Sequence, residues 1–191
     1  MSFDPVNYIR DNSAVAATPL VPEIRLHLVN DFSPLWQATE DALKEKSIDA
    51  PYWAFAWPGG QALARHVLDH PGLVRGKRVL DMAAGSGIVA IAAAKAGAAA
   101  VTACDIDPLA AAAIGLNAAI NDAAIEAVTD DLTEGAGEGW DVILAGDVCY
   151  QQAMADRVTA WLRARAAASV LVLIGDPGRA YLPEDGLEEI A

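Results

Sequence analysis

The chain has 191 residues, 54% hydrophobic and 20% charged, and 26 Asp and Glu outweigh 13 Lys and Arg to give a net charge of −13. That length suits one domain with a real core, and such acidity offers no general attraction for nucleic acid or anionic lipid, so a protein or small molecule, even a cationic one, is the expected partner. Two distant cysteines, Cys104 and Cys149, exclude a thiolate metal cluster and argue against a disulfide framework, while the absence of a leader-like start and of any apolar run near ~20 residues points to no membrane span and a cytoplasmic location.

Residues 1–70 read as an extension ahead of the main pattern. It is predicted to hold a helix near Asp4–Asn12, a short strand over Ile24–Val29, a helix near Ser33–Lys46 and a helix after Trp57-Pro58. Before that last helix comes Pro51-Tyr-Trp-Ala-Phe-Ala-Trp57, four aromatics within six residues. Such a preface suits a lid over a binding site, although aromatics that merely pack the extension down fit the same pattern.

Residues 71–191 alternate between β-rich and helical runs. Lys77–Met82 predicts a strand, Ser86–Lys95 a helix and Ala99–Ile106 a second strand. Pro108–Ile120 predicts a helix started by Asp107 and Pro108, good cap and first-turn residues. Ile125–Thr129 is a third strand. After the turn Gly135–Gly139 come a buried strand (Trp140–Val148), a helix (Gln151–Ala168) with Met154, Val158, Trp161 and Leu162 on one face, and an apolar strand (Ser169–Ile174). Alanine-rich stretches sit on these elements and mark no repeat. The alternation predicts an α/β fold, a doubly wound, mostly parallel Rossmann-like sheet, because parallel strands need crossover connections. Ligands of such sheets bind beyond the carboxyl ends of the strands, so polar residues there are site candidates.

The strongest local signal is Val79-Leu-Asp81-Met-Ala-Ala-Gly85-Ser-Gly87: a strand ends in an acid, and glycines turn the chain into a helix. Without a Cβ, Gly85 and Gly87 let a ligand approach the backbone. Asp105, at the end of the next strand, can accept both hydroxyls of a ribose. Gly85-Ser-Gly87 followed by an acid also satisfies a dinucleotide fingerprint, so NAD and S-adenosylmethionine compete for this turn. Asp81 decides between them, since it would repel a pyrophosphate but favours the ammonium and sulfonium of S-adenosylmethionine. Asp130 and Asp131, after the third strand, offer an acceptor for an adenine amino group.

The Asp81-to-Gly87 turn, Asp105, and Gly146-Asp147-Val-Cys-Tyr150 resemble the class I, seven-β-strand methyltransferases. The Asp-x-x-Tyr form resembles their protein lysine methyltransferase branch. The block Pro51-Tyr-Trp-Ala-Phe-Ala-Trp-Pro-Gly-Gly60 is similar to the bacterial relatives of electron transfer flavoprotein β-subunit lysine methyltransferase. The resemblance runs from about Tyr52 to Asp176. It implies S-adenosylmethionine as cofactor (leaving as S-adenosylhomocysteine), with Gly146 on the cofactor side. It further implies that Asp147 and Tyr150 hold a lysine ε-amine of the flavoprotein β subunit, and that Trp57 lies at the cofactor's methionine end. A packing anchor for the next helix fits Trp57 equally well, and an N-cap for Gln151–Ala168 is the structural alternative for Asp147. Tyr52 and Trp53 are expected to wall the lysine channel through cation–π contact. One departure stands out: the superfamily's closing antiparallel hairpin has no counterpart before Ala191, so the C-terminal edge is expected to be short or truncated.

A base-modifying enzyme would carry prolines in the motif after the fourth core strand, and Asp147-Val-Cys-Tyr150 has none. Methylation of ribosomal protein L11 or of a small amine, and an NAD-dependent oxidoreductase, are the remaining rivals.

Overall fold

A computed structural model describes residues 3–29, 51–135 and 139–190. The helix expected over Ser33–Lys46 and the middle of the Gly135–Gly139 turn lie outside the described residues.

Among the described residues the extension contains α1 (Pro5–Asn12), β1 (Ala14–Ala17), β2 (Arg25–Leu28) and α2 (Pro58–Asp69). The expected helix and strand are present. The strand β1, missed because Ala-Val-Ala-Ala shows no alternation, pairs antiparallel with β2, so the extension is a ribbon as well as a helix. The outer edge of β2 does not face solvent bare. Asn121 accepts the Arg25 N–H at 3.1 Å and Asn117 accepts that of His27 at 2.8 Å. Asn117 lies in α4 (Pro108–Ile120) and Asn121, one turn on, caps its C-terminal end; Asn117, fully buried, also donates to the Ser86 carbonyl at 2.8 Å. The extension is thereby pinned to the glycine turn.

The core supplies β3 (Arg78–Met82), α3 (Ile88–Lys95), β4 (Ala100–Cys104), β5 (Glu126–Val128), β6 (Val142–Gly146), α5 (Gln152–Ala167) and β7 (Leu171–Gly175). The strands form one sheet in the order β5-β4-β3-β6-β7, every pair parallel. Side chains alternate across it with period two, as a strand requires. Val79, Val142 and Leu144 join Leu63, Ala64 and Ile91 in a core with α2 and α3. Leu80, Met82, Ile143 and Ala145 join Val158, Trp161 and Leu162 of α5 on the other face. No strand follows β7 among the described residues.

The strand order reverses between β3 and β6. A ligand site belongs at that switch point, above the ends of both strands.

Candidate active site

A cleft of about 800 Å³ opens at this switch point, lined from the ends of β3, β4 and β6, the aromatic block before α2 and the start of α5.

Asp81 sits one residue before the end of β3, on the α3 side of the sheet. The cap position of α3 is Gly87, left-handed at φ +76° and without a side chain to offer. Asp81 fills that role from the strand, its Oδ2 accepting the Ala90 N–H at 2.8 Å. The carboxyl is 1% exposed, and burial, helped by the charge on Asp105, pushes its pKa up to about 7. A cation entering the cleft beside it would restore full ionisation. Asp105, one residue beyond β4, accepts Gly85 N–H on Oδ2 at 2.8 Å and Asp107 N–H on Oδ1 at 3.0 Å. Burial raises its pKa as well. Each oxygen keeps a lone pair for a further donor, which suits a vicinal diol.

The two glycines of the turn divide their duties. Gly85 is left-handed at φ +52°, and a Cβ there would meet nothing nearer than the Tyr52 carbonyl at 3.8 Å, so the space above it belongs to the cleft. Gly87 does not line the cleft; a Cβ there would lie 3.1 Å from Ile114 Cγ1. Its missing side chain thus serves turn geometry and the packing of Ile114. Gly146 lines the cleft, yet its smallness serves α2, whose Gly60 Cα would be 2.8 Å from an added Cβ.

Asp130 and Asp131 both line the cleft. Asp131 is committed elsewhere: it caps a 3-10 turn through the Thr133 N–H at 3.0 Å and pairs with Arg157 at 2.7 Å. Asp130 is exposed at the cleft wall.

At the other end, Asp147 directly follows β6 in left-handed conformation, φ +56°. It does not cap the helix that follows it. Its Oδ2 accepts the Gly60 N–H of α2 at 2.7 Å, and its Oδ1 accepts Nε and Nη2 of Arg179 at 3.0 and 2.5 Å. Tyr150 and Tyr52, each 37% exposed, stack at 5.0 Å between ring centroids. Trp57, at the cap position of α2, donates from Nε1 to the Tyr52 carbonyl at 2.9 Å and lies under the Arg179 guanidinium at 5.8 Å. Trp53 is 0% exposed and packs with Ile9, Val29, Ala110 and Ala113, so it anchors the aromatic block from beneath while contributing to the lining of the cleft.

Arg179 and Arg157 are the cleft residues that sequence reasoning passed over. The strand-end rule, carried on to the loop after β7, points to the first; Arg157 sits mid-helix and leaves no such signal. Cys149 is a buried thiol whose pKa burial pushes up to about 11, which fits a filler and not a nucleophile.

The chain is similar to known methyltransferases. Residues 63–169 match the family profile of ribosomal protein L11 methyltransferase. The chain is 41% identical over 187 residues to the electron transfer flavoprotein beta subunit lysine methyltransferase of Danio rerio, covering 96% of this chain and 71% of that protein. Against the Homo sapiens protein of that name the identity is 39% over 175 residues, covering 90% and 66%. Among solved structures, the T. thermophilus 16S rRNA N2 G1207 methyltransferase in complex with AdoMet and guanosine shares the fold, with TM-score 0.57 and 20% identity over 88% of this chain and 43% of that one.

Proposed function

The chain belongs to the family of electron transfer flavoprotein β-subunit lysine methyltransferases, and on that premise we propose that it transfers methyl groups from S-adenosylmethionine to lysine ε-amines of that flavoprotein subunit. The observation that carries the reading is continuity. One cleft holds the buried acid and open glycine of a nucleoside site at one end and the Asp147–Tyr150 pair at the other.

The residues present fit S-adenosylmethionine. Asp81 is a buried carboxyl whose pKa lies near 7, Gly85 leaves room at the turn, and Asp105 keeps a lone pair on each oxygen that a diol could use. When bound, the cofactor supplies an activated methyl group on sulfur. The protein's work is alignment: a lysine nitrogen has to point its lone pair along the axis of the bond that breaks. Tyr52 and Tyr150 form an aromatic mouth suited to a lysine stem. Asp147 retains lone pairs beyond its Gly60 and Arg179 contacts and can accept an amine N–H. It orients the amine; a paired carboxylate is a poor general base for lysine.

L11 methylation is the second reading, favoured by the family profile. That match begins at residue 63, after the aromatic block, whereas the likeness to the Danio rerio protein spans 96% of the chain. The substrate assignment therefore follows the latter. A cytoplasmic location belongs to the same proposal, supported by two free, buried thiols. Incubation with labelled S-adenosylmethionine and purified flavoprotein, followed by mass spectrometric mapping, tests the substrate. Label on β-subunit lysines supports it; label on L11 or free amines alone rejects it.

A further inference from the structure

The Arg179–Asp147 pair adds to the proposed reaction a residue that the family motif does not contain. We propose that Arg179 is a positioning residue that sets the charge state of the substrate, making the Asp147 end of the cleft receive a neutral amine in place of an ammonium.

The pair is a built feature. Two guanidinium nitrogens fall on one carboxylate oxygen, the Gly60 N–H holds the other, and the two side chains are only 23% and 8% exposed. Arg179 is itself fixed from below: its backbone N–H donates to Asp176 Oδ1 at 2.6 Å, and its guanidinium lies over Trp57.

Methyl transfer needs a lone pair, and a lysine at neutral pH has none to give. An unpaired, nearly buried carboxylate would make this worse, because it would trap the ammonium as an ion pair and raise its pKa. A carboxylate already joined to a guanidinium carries no net charge as a pair. A second cation arriving there meets a like charge, while a neutral amine meets only an acceptor. Guanidinium does not deprotonate in proteins, so this bias holds at every working pH.

The other groups around the pair do not supply that charge. Asp176, in the loop after β7, is engaged through Oδ1 by the backbone N–H groups of Gly178 and Arg179. Cys149 stays neutral because burial pushes its thiol up to about 11. Tyr150 and Tyr52 line the same cleft as aromatic phenols. Across the cleft, Asp81 and Asp105 are acids, and Arg157 is spent on Asp131. In the balanced step, the ammonium first loses its proton to water. The nitrogen lone pair then forms the N–C bond as the C–S bond breaks, its electrons staying on sulfur, and the methylated ammonium, which carries two N–H protons, gives one of them to water to become a neutral secondary amine.

This inference rests on the lysine methyltransferase reading. The test measures kcat and KM for purified flavoprotein from pH 6 to 10 with wild type, Arg179→Lys, Arg179→Gln and the double variant Asp147→Asn/Arg179→Gln, with S-adenosylmethionine affinity as the control for folding. Arg179→Gln is expected to lower KM, to lower kcat about 10-fold at pH 7, and to shift the acid limb of kcat upward by about one pH unit, so that activity recovers at high pH. Arg179→Lys keeps the wild-type limb. The double variant, slow but again without net charge at the pair, returns the limb to the wild-type position, and carries the test if the single variant does not fold. A loss in Arg179→Gln that is equal at every pH, or a limb that stays shifted in the double variant, overturns the inference. Wild type that labels no flavoprotein lysine at any pH overturns the underlying reading instead.

Discussion

Asp147, the residue after β6, accepts the backbone N–H of Gly60, the third residue of α2, at 2.7 Å. Asp81 does the same for Ala90, the third residue of α3, at 2.8 Å. Neither helix has a side-chain cap of its own, since α2 opens on Trp57-Pro58 and α3 on Gly87. Two acids at adjacent strand ends thus close two helices and face one cleft. The proposed reaction geometry and helix stability are thereby coupled through the same carboxylates.

Asp147→Ala separates these roles. It removes a helix cap and leaves Arg179 without its partner, so unfolding stability should fall on the order of 2 kcal/mol. Methyl transfer should fall more than ~100-fold, while S-adenosylmethionine affinity stays within a few-fold, because the nucleoside end of the cleft is untouched. Calorimetry on the folded variant checks this; loss of cofactor binding would move Asp147 into the nucleoside pocket.

Asp81 predicts a pH dependence of stability. In the folded protein its carboxyl keeps its proton up to about pH 7, whereas in an unfolded chain it ionises near pH 4. The folded state therefore binds more protons across that interval, and the contribution of Asp81 to stability is lost as pH rises through it. Asp81→Asn cannot titrate. Without cofactor, wild type should lose stability relative to the variant between pH 4 and 7, by a few kcal/mol at most. Parallel stability curves in thermal unfolding would contradict the buried, protonated state.

Gly59, packed against the backbone of β7, and Gly85, open to the cleft, should fail differently. A Cβ at Gly59 would lie 2.2 Å from the Gly175 carbonyl oxygen, backbone against backbone, so Gly59→Ala should cost ~3 kcal/mol of stability or more. Gly85→Ala meets open space and only left-handed strain, about 1–2 kcal/mol, but should weaken cofactor binding at least ~10-fold. Thermal unfolding and calorimetry on both variants read the contrast.

Tyr150→Phe keeps the ring stacked on Tyr52 and removes only the hydroxyl. Transfer should drop about 10-fold through a weaker hold on the amine, and Tyr150→Ala should drop it further by opening the aromatic mouth. A wild-type rate in the Phe variant would leave the hydroxyl without a part.

Much of this architecture was legible in the sequence because it rests on local rules. Pro108–Ile120 is the helix that Asp107 and Pro108 announce, and each core strand appears with neither end more than two residues from its expected place. The acids at strand ends were readable because chain order fixes where a parallel strand stops. What escaped was set by pairing at a distance. β1 is held by its partner strand and shows no pattern of its own. Trp53 looks like Tyr52 in sequence, and only the fold decides that one is buried and the other exposed. The contact of Arg179 with Asp147 spans 32 residues, with nothing local to mark it.

The central claim is electrostatic: the glycine turn after β3, with Asp81 beneath it and Asp105 beside it, admits a nucleoside bearing positive charge and turns away a pyrophosphate. Calorimetric titration of the wild-type chain with S-adenosylmethionine and, separately, with NADH measures this directly. Saturable binding of the former, with none of the latter, is the predicted result. NADH binding at this cleft in the absence of any affinity for S-adenosylmethionine would contradict it.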